Sequence, residues 1–296
     1  MLSLPVVDFD ADRSAADIAD EVERAVTEHG FMAVANLGID PALRQAAFAA
    51  AEGFFTQPAA AKAPFGYTDP AINFGYQALL AERLDPNSPA DVKEAFTMRN
   101  LLAVEDAAAW PDEEFQRVAR AFYSACMEGA RRVLRALASV LRVEEDFFVR
   151  YHTGENVTMR YLYYPSTGAE VGAGQLGAGA HTDYGAITLL FQDQVPGLEL
   201  RDKQGVWQPV PTNPDLILIN TGDLMTHWSN GRFPSTEHRV APRIGSTSRY
   251  SIAYFMDPDN ATLVECLPSC VSADQPARFE PITAGEHILR KITATL

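Results

Sequence analysis

From Asp12 to Leu141 apolar residues recur mainly every third or fourth position, and from Val157 to Met256 they mostly alternate. The first pattern predicts helices and the second predicts strands. Residues 4–9 read as a short strand. Asp12 or Ser14 caps a helix whose apolar face is Ile18, Val22, Ala25 and Val26, with Gly30 as its stop. Residues 31–35 form another short strand. Asp40-Pro41, a cap with Pro at the first helical position, opens a helix lined by Leu43, Ala47, Ala50 and Phe54. Residues 65–90 hold no period, and Phe65, Tyr67, Phe74 and Tyr76 interleave there with Pro, Gly and Asn. Such a stretch reads either as a functional loop or as surface packing. Residues 92–99 return as a strand, or as strand and turn.

Pro111 begins the longest helix, with Phe115, Val118, Phe122, Cys126, Val133, Leu137 and Leu141 at helical spacing. Some 30 residues make a rod on the order of 45 Å, which reads as backing for a sheet. After Val157 the expected strands are 159–164, 187–192, 198–201, 207–210, 216–220, 236–241 and 250–256. Turn signals at Pro196-Gly, Lys203-Gln-Gly, Asn213-Pro, Gly222-Asp and Ser229-Asn-Gly separate several of them. The Gly-rich stretch 166–179 leads into a strand and not a helix, which argues against a phosphate-binding loop. A run of short strands after a helical first half predicts a mainly β fold with flanking helices, built on a jelly roll. The expected divisions are an α/β N-terminal region (1–110), a long backing helix (111–150), a jelly-roll core (153–258) and a C-terminal tail (259–296).

The chemistry gathers around Gly179–Phe191. His181 and Asp183 are two apart, so on one strand they share a face. Alone, the pair could equally be an Asp orienting a surface His. His238 follows after 54 intervening residues, and ten more lead to Arg249 and Ser251, again two apart. Two His and one carboxylate suit non-haem Fe(II) and oxygen chemistry, and an Arg fork beside them suits a co-substrate carboxylate. Phe255 shares parity with Arg249, Ser251 and Ala253 and is a candidate pocket-lining residue. His29, His152, His227 and His287 lack ligand partners at useful spacing; His227 alone lies near the site in sequence and is a candidate substrate contact. Asn220 and Asp223 read as supports of a tight turn. Phe74 and Tyr76 share parity if locally extended and are the candidate substrate cover.

The whole pattern, His181-Thr-Asp183, His238 and Arg249-Tyr-Ser251, resembles the isopenicillin N synthase-like family of Fe(II)/2-oxoglutarate-dependent oxygenases. The connecting text is similar too: Val195-Pro-Gly-Leu-Glu-Leu, Asn220-Thr-Gly-Asp-Leu, Trp228-Ser-Asn-Gly-Arg-Phe, and at the N-terminal side Leu4-Pro-Val-Val-Asp-Phe, Gly30-Phe-Met-Ala-Val, Phe54-Phe and Val92-Lys-Glu-Ala-Phe. The resemblance implies a double-stranded β-helix core with helices packed outside. It implies Fe(II) held by His181, Asp183 and His238, and 2-oxoglutarate held at its far carboxylate by Arg249, Ser251 and Tyr164. It further implies O2-dependent oxidation, by default hydroxylation, of a C–H bond in a small-molecule metabolite of secondary metabolism, releasing succinate and CO2. Leu162 stands where many family members carry Asn, which puts one co-substrate contact in question, and Tyr164 could instead be a core aromatic. Three rivals remain: an iron oxidase or cyclase that does without 2-oxoglutarate, a Zn-dependent hydrolase, and a catalytically silent jelly-roll binding protein.

Charge narrows the partners. With 24 basic and 39 acidic residues the net charge is −15 and the pI about 4.8, which argues against nucleic acid and anionic membranes. The expected partner is a small molecule. Cys126, Cys266 and Cys270 make no disulfide framework and read as packing residues in a reducing cytoplasm. No apolar run approaches the roughly 20 residues of a membrane span, and the first residues carry no basic stretch of a secretion signal.

Overall fold

β1 (Val6–Asp8) and β2 (Phe31–Ala35) lie parallel, connected through α1 (Ala15–His29). Ser14 caps α1 by accepting the Asp17 N–H at 3.1 Å, and Gly30 ends it in the left-handed conformation, φ 64°. No side chain could replace that glycine, because a Cβ there would lie 2.3 Å from the Pro234 carbonyl oxygen. α2 (Pro41–Phe55) and the short α3 (Ala59–Lys62) follow. The computed structural model describes residues 2–294 except 68, 70, 71, 104–108, 167–171, 173 and 244. Part of the Gly-rich 166–179 stretch therefore lies outside the described residues.

β3 (Phe74–Gln77) forms inside the segment expected to be irregular, pairing with β4 (Glu94–Arg99). The alternation there is too short to stand out in sequence; the neighbouring strand supplies the ladder that fixes it. α4 (Glu113–Val140) is the expected long helix, capped by Asp112, whose Oδ1 accepts the Phe115 N–H at 2.7 Å. The remaining elements are β5 (Thr158–Tyr164), β6 (Ala178–His181), β7 (Ile187–Gln192), β8 (Leu198–Arg201), β9 (Trp207–Pro209), β10 (Ile217–Thr221), α5 (Asp223–Trp228), β11 (His238–Val240), β12 (Arg249–Met256), β13 (Leu263–Val264), β14 (Ile282–Thr283) and α6 (Ala284–Ala294). α5 and α6 were not expected from the pattern: the first stood as a turn and the second as part of a tail.

The strands form a major sheet in the order β1-β2-β10-β7-β12-β5-β4-β3 and a minor sheet in the order β6-β11-β8-β9. The four strands of the N-terminal region extend the same sheet as the core, β2 beside β10 and β4 beside β5. The result is a mainly β jelly roll with helices outside.

Alternation gives the major sheet two faces. Tyr161, Phe191 and Tyr254 face α4 and meet Phe115, Phe122 and Tyr123 at ring separations of 5.5, 5.0 and 5.1 Å. The residues between them face the minor sheet. Two smaller apolar clusters fill parts of that second interface. Phe31, Leu198, Leu200 and Leu218 make one, and Ala95, Leu162, Tyr164, Val240 and Ala253 make the other. Polar groups survive between the sheets where these clusters leave space, and the candidate site lies there.

Candidate functional site

His181 ends β6, and His238 begins β11 directly opposite it. Asp183 does not continue the strand of His181 as expected. The chain leaves the minor sheet after His181, turns through residues 182–186 and enters the major sheet at β7. The turn is pinned to the start of α5: the Gly222 N–H donates to the Ala186 carbonyl at 2.9 Å, Asp223 to Asp183 at 2.8 Å and Leu224 to Gly185 at 3.0 Å. Gly222 makes this approach possible, since a Cβ would lie 2.5 Å from the Gly185 carbonyl oxygen. Asp183 is thus aimed by backbone bonds and not by strand parity.

One nitrogen of each imidazole and one carboxylate oxygen lie within 4.8 Å of one another. Asp183 Oδ1 is 3.9 Å from His181 Nε2 and 3.7 Å from His238 Nε2. The other ring nitrogens are occupied. His181 Nδ1 meets the Gly179 carbonyl at 2.7 Å and His238 Nδ1 the Thr236 carbonyl at 3.1 Å. A carbonyl can only accept, so Nδ1 carries the proton and Nε2 presents its lone pair inward. Asp183 Oδ2 accepts from Thr188 Oγ1 at 2.5 Å and from Asn220 Nδ2 at 2.7 Å, leaving Oδ1 free. Burial, reinforced by the neighbouring His238 ring, pushes the His181 imidazole well below its usual range despite the opposing pull of Asp183. A neutral imidazole is the form that ligates a metal. Two imidazoles and one carboxylate with further positions open are the donor set of an Fe(II) centre.

Arg249, 1% exposed, is the second pole of the site. Its Nη2 donates to Gln192 Oε1 at 3.0 Å and its Nη1 to Ser251 Oγ at 3.3 Å, and the guanidinium sits 4.9 Å from the centre of the Tyr164 ring. Tyr164 is its cross-strand partner. Arg249 Nε is buried and has no hydrogen-bond partner among the described residues. A buried cation with an unspent donor fits an incoming carboxylate. Gly197 leaves room for it; a Cβ there would come within 3.3 Å of Arg249 Cδ.

Triad and clamp open into one cavity of about 1700 Å³, lined among others by Leu162, Tyr164, Leu190, Arg249, Ser251 and Phe255. Arg160, Leu162 and Tyr164 all line it, as their parity implied. Phe74 packs edge-on against Phe96 and Trp110 at 5.5 and 4.8 Å, on the helix side of the sheet. Tyr76 shares that side but, unlike Phe74, lines the cavity, its hydroxyl donating to Glu94 at 2.5 Å. Their parity was right, but packing on Phe54 turns the shared face inward. His227 stacks on Phe279 at 4.4 Å and lies beside His287, within a cluster behind the turn.

Several residues of the site carried no signal as such. Thr188 and Gln192 sit on a strand whose apolar alternation masks them, and the Asn220 sequence context signals only a turn. The C-terminal helix brings Ile288, Leu289 and Ile292 to the cavity mouth; their helical spacing could have revealed it. α6 is tied to the turn by Asp223 Oδ2, which lies 2.9 Å from Lys291 Nζ, 3.6 Å from His287 Nε2 and 3.4 Å from Thr182 Oγ1. No helix among the described residues is long and apolar enough to cross a membrane.

Comparison with known proteins places this arrangement in context. Residues 147–258 match the 2OG-Fe(II) oxygenase superfamily, and residues 4–122 match the N-terminal region described as non-haem dioxygenase in morphine synthesis. The chain is 32% identical to the 2-oxoglutarate-dependent dioxygenase citB of Monascus ruber, over 99% of this chain and 95% of that protein. It is 31% identical to validamycin A dioxygenase of Streptomyces hygroscopicus subsp. limoneus, over 98% and 86%. The crystal structure of a full-length Neurospora crassa protein in complex with alpha-KG superposes with a TM-score of 0.88 at 29% identity, over 99% of this chain and 96% of that one.

Proposed function

This chain belongs to the 2OG-Fe(II) oxygenase superfamily, and we propose that it hydroxylates a C–H bond of a small molecule at the triad of His181, Asp183 and His238. The enzyme is a non-haem Fe(II)/2-oxoglutarate dioxygenase. The iron, when bound, couples O2 and 2-oxoglutarate to substrate oxidation: R–H, 2-oxoglutarate and O2 become R–OH, succinate and CO2. The convergence of triad and clamp in one cavity carries this reading.

His181 and His238 hold their lone pairs inward because Gly179 and Thr236 fix the Nδ1 protons. Thr188 and Asn220 hold Asp183 with one oxygen forward. Arg249 offers its unspent Nε and Ser251 its hydroxyl to the far carboxylate of 2-oxoglutarate, with the Tyr164 ring against the guanidinium. Fixing that end orients the keto acid end toward the triad. Leu162, where an amide is common in the family, leaves this part of the wall apolar. Leu190 and Phe255 give the cavity apolar lining, and Ile288, Leu289 and Ile292 of α6 add apolar surface to it.

The test is consumption of 2-oxoglutarate with equimolar succinate, dependent on Fe(II) and raised by the correct small molecule. Substrate oxidation that proceeds without 2-oxoglutarate would favour an oxidase, and turnover supported by Zn(II) alone would favour a hydrolase.

A further inference from the structure

β12 gives the cavity a direction. Arg249, Ser251, Ala253 and Phe255 face it in turn, and the next residue of the same parity is Asp257, which also lines it. Arg249 pairs with Tyr164 at one end of the strand. At the other, Met256 pairs with Ile187, the residue that follows the Asp183 turn. Arg249, the Asp183 turn and Asp257 therefore follow one another in that order along the cavity. The Asp257 carboxylate is seated on Gly185, where a Cβ would lie 1.5 Å from its Oδ1. Gly185 is two residues beyond Asp183, so this carboxylate faces the reacting region from the side away from Arg249.

Asp257 makes no hydrogen bond or ion pair among the described residues. Its polar neighbours are already committed. Arg99 donates to the Glu155 carbonyl at 3.1 Å and to Asn156 Oδ1. Asn156 donates to the Pro258 carbonyl at 2.8 Å and to Asn260 Oδ1 at 2.9 Å, and Asn260 donates to Glu155 at 3.2 Å. The other carboxylates of the wall are spent as well. Asp183 belongs to the triad, and Glu82 is tied to Arg160 at 2.6 Å and Lys93 at 3.4 Å. Asp257 is half-buried, and its carboxylate faces the cavity, where a ligand donor can reach it.

We propose that Asp257 is a specificity-determining residue that receives an N–H donor of the substrate, a basic amine or an amide-type nitrogen, and excludes carboxylate substrates. The inference rests on the oxygenase reading, since it places the substrate opposite the co-substrate clamp. It names the ligand class that would complete the site: burial and the nearby Asp183 push the Asp257 carboxyl up to about 7, so a basic N–H group that pairs with it restores the ionised acceptor, whereas an acid adds negative charge beside Asp183 and Asp257.

The experiment uses the Mn(II)-loaded protein with 2-oxoglutarate and without O2. Benzylamine, benzamide and benzoate are titrated calorimetrically into the wild type and into Asp257→Asn. Wild type should bind benzylamine at least roughly tenfold more tightly than benzoate, and Asp257→Asn should lose roughly ten- to hundredfold in benzylamine affinity, as for a charge-assisted hydrogen bond. Benzamide affinity should change little, because the Asn carbonyl still accepts. The melting temperature of the ligand-free variant should be equal or higher, since a structural carboxylate would give the opposite. Benzoate binding as tightly as benzylamine, an unchanged amine-to-acid ratio in Asp257→Asn, or no amine binding at all would overturn the assignment. Failure of the wild type to bind 2-oxoglutarate would count against the oxygenase reading instead, and the same probe titrations would still decide on Asp257.

Discussion

Asn220 donates to Asp183 Oδ2 at 2.7 Å across 37 residues of chain, and that bond decides which oxygen of Asp183 faces the two histidines. Thr188 holds the same oxygen from the neighbouring strand. The pair turns a flexible carboxylate into a directed ligand.

Asn220→Ala should accordingly weaken metal binding without removing a ligand. Loss of such an outer partner typically costs about 10–100-fold in affinity, whereas Asp183→Ala should abolish binding. Titration with Fe(II) under anaerobic conditions measures both. Equal losses in the two variants would mean that Asn220 does more than orient.

Arg249→Ala should leave a co-substrate carboxylate unpaired in a dry site, a cost of about 3–5 kcal/mol, or roughly two to four orders of magnitude in 2-oxoglutarate affinity. Arg249→Lys should recover only part of it, because the fork and its stacking on Tyr164 are lost. Calorimetric titration of 2-oxoglutarate decides. Unchanged affinity in Arg249→Ala would remove the clamp from the site.

Phe74 is 8% exposed and packed among Phe96 and Trp110. Phe74→Ala should therefore destabilise the fold by about 3–5 kcal/mol, as for other buried aromatics. The substrate KM of the folded fraction should be unaltered. Urea unfolding and kinetics on the same preparation separate the two; a raised KM with unchanged stability would return Phe74 to the substrate.

His152 is fully buried, its Nδ1 2.7 Å from the Phe148 carbonyl and its Nε2 without a hydrogen-bond partner among the described residues. Burial lowers its imidazole to about 4. Above the unfolded value, near 6.5, neither state takes the proton. As pH falls from there toward 4, the unfolded chain binds a proton that the folded one refuses, so stability is lost across that window. The loss approaches roughly 3 kcal/mol. Urea unfolding at pH 7 and pH 4.5 should show it, and His152→Gln should show a flatter dependence. Equal slopes would refute the assignment.

Asp223 holds Lys291, His287 and Thr182 together, so its side chain latches α6 onto the metal-bearing turn. Asp223→Ala should speed amide hydrogen exchange across residues 284–294 while the backbone bond from residue 223 to Asp183 persists. Unchanged protection of α6 would show that its apolar contacts alone hold it.

What the sequence determined by itself was chemistry at fixed spacing. His-x-Asp, a distant His and Arg-x-Ser specify donors and a carboxylate fork wherever the chain brings them, and the long amphipathic period before Leu141 specifies the backing helix. These signals are local, and local geometry carries them. Facing is not local. Phe74 and Tyr76 share a parity that holds, yet only the packing of Phe54 against their sheet decides that the shared face is the inner one. His181 and Asp183 are two apart, yet they act together across a change of sheet, aimed by the start of α5 and by Asn220. Asp257 and the apolar residues of α6 acquire a place at the cavity only once β12 and the C-terminal helix are set against the turn. A periodic pattern tells which residues point the same way. Long-range hydrogen bonds and packing decide what they point at.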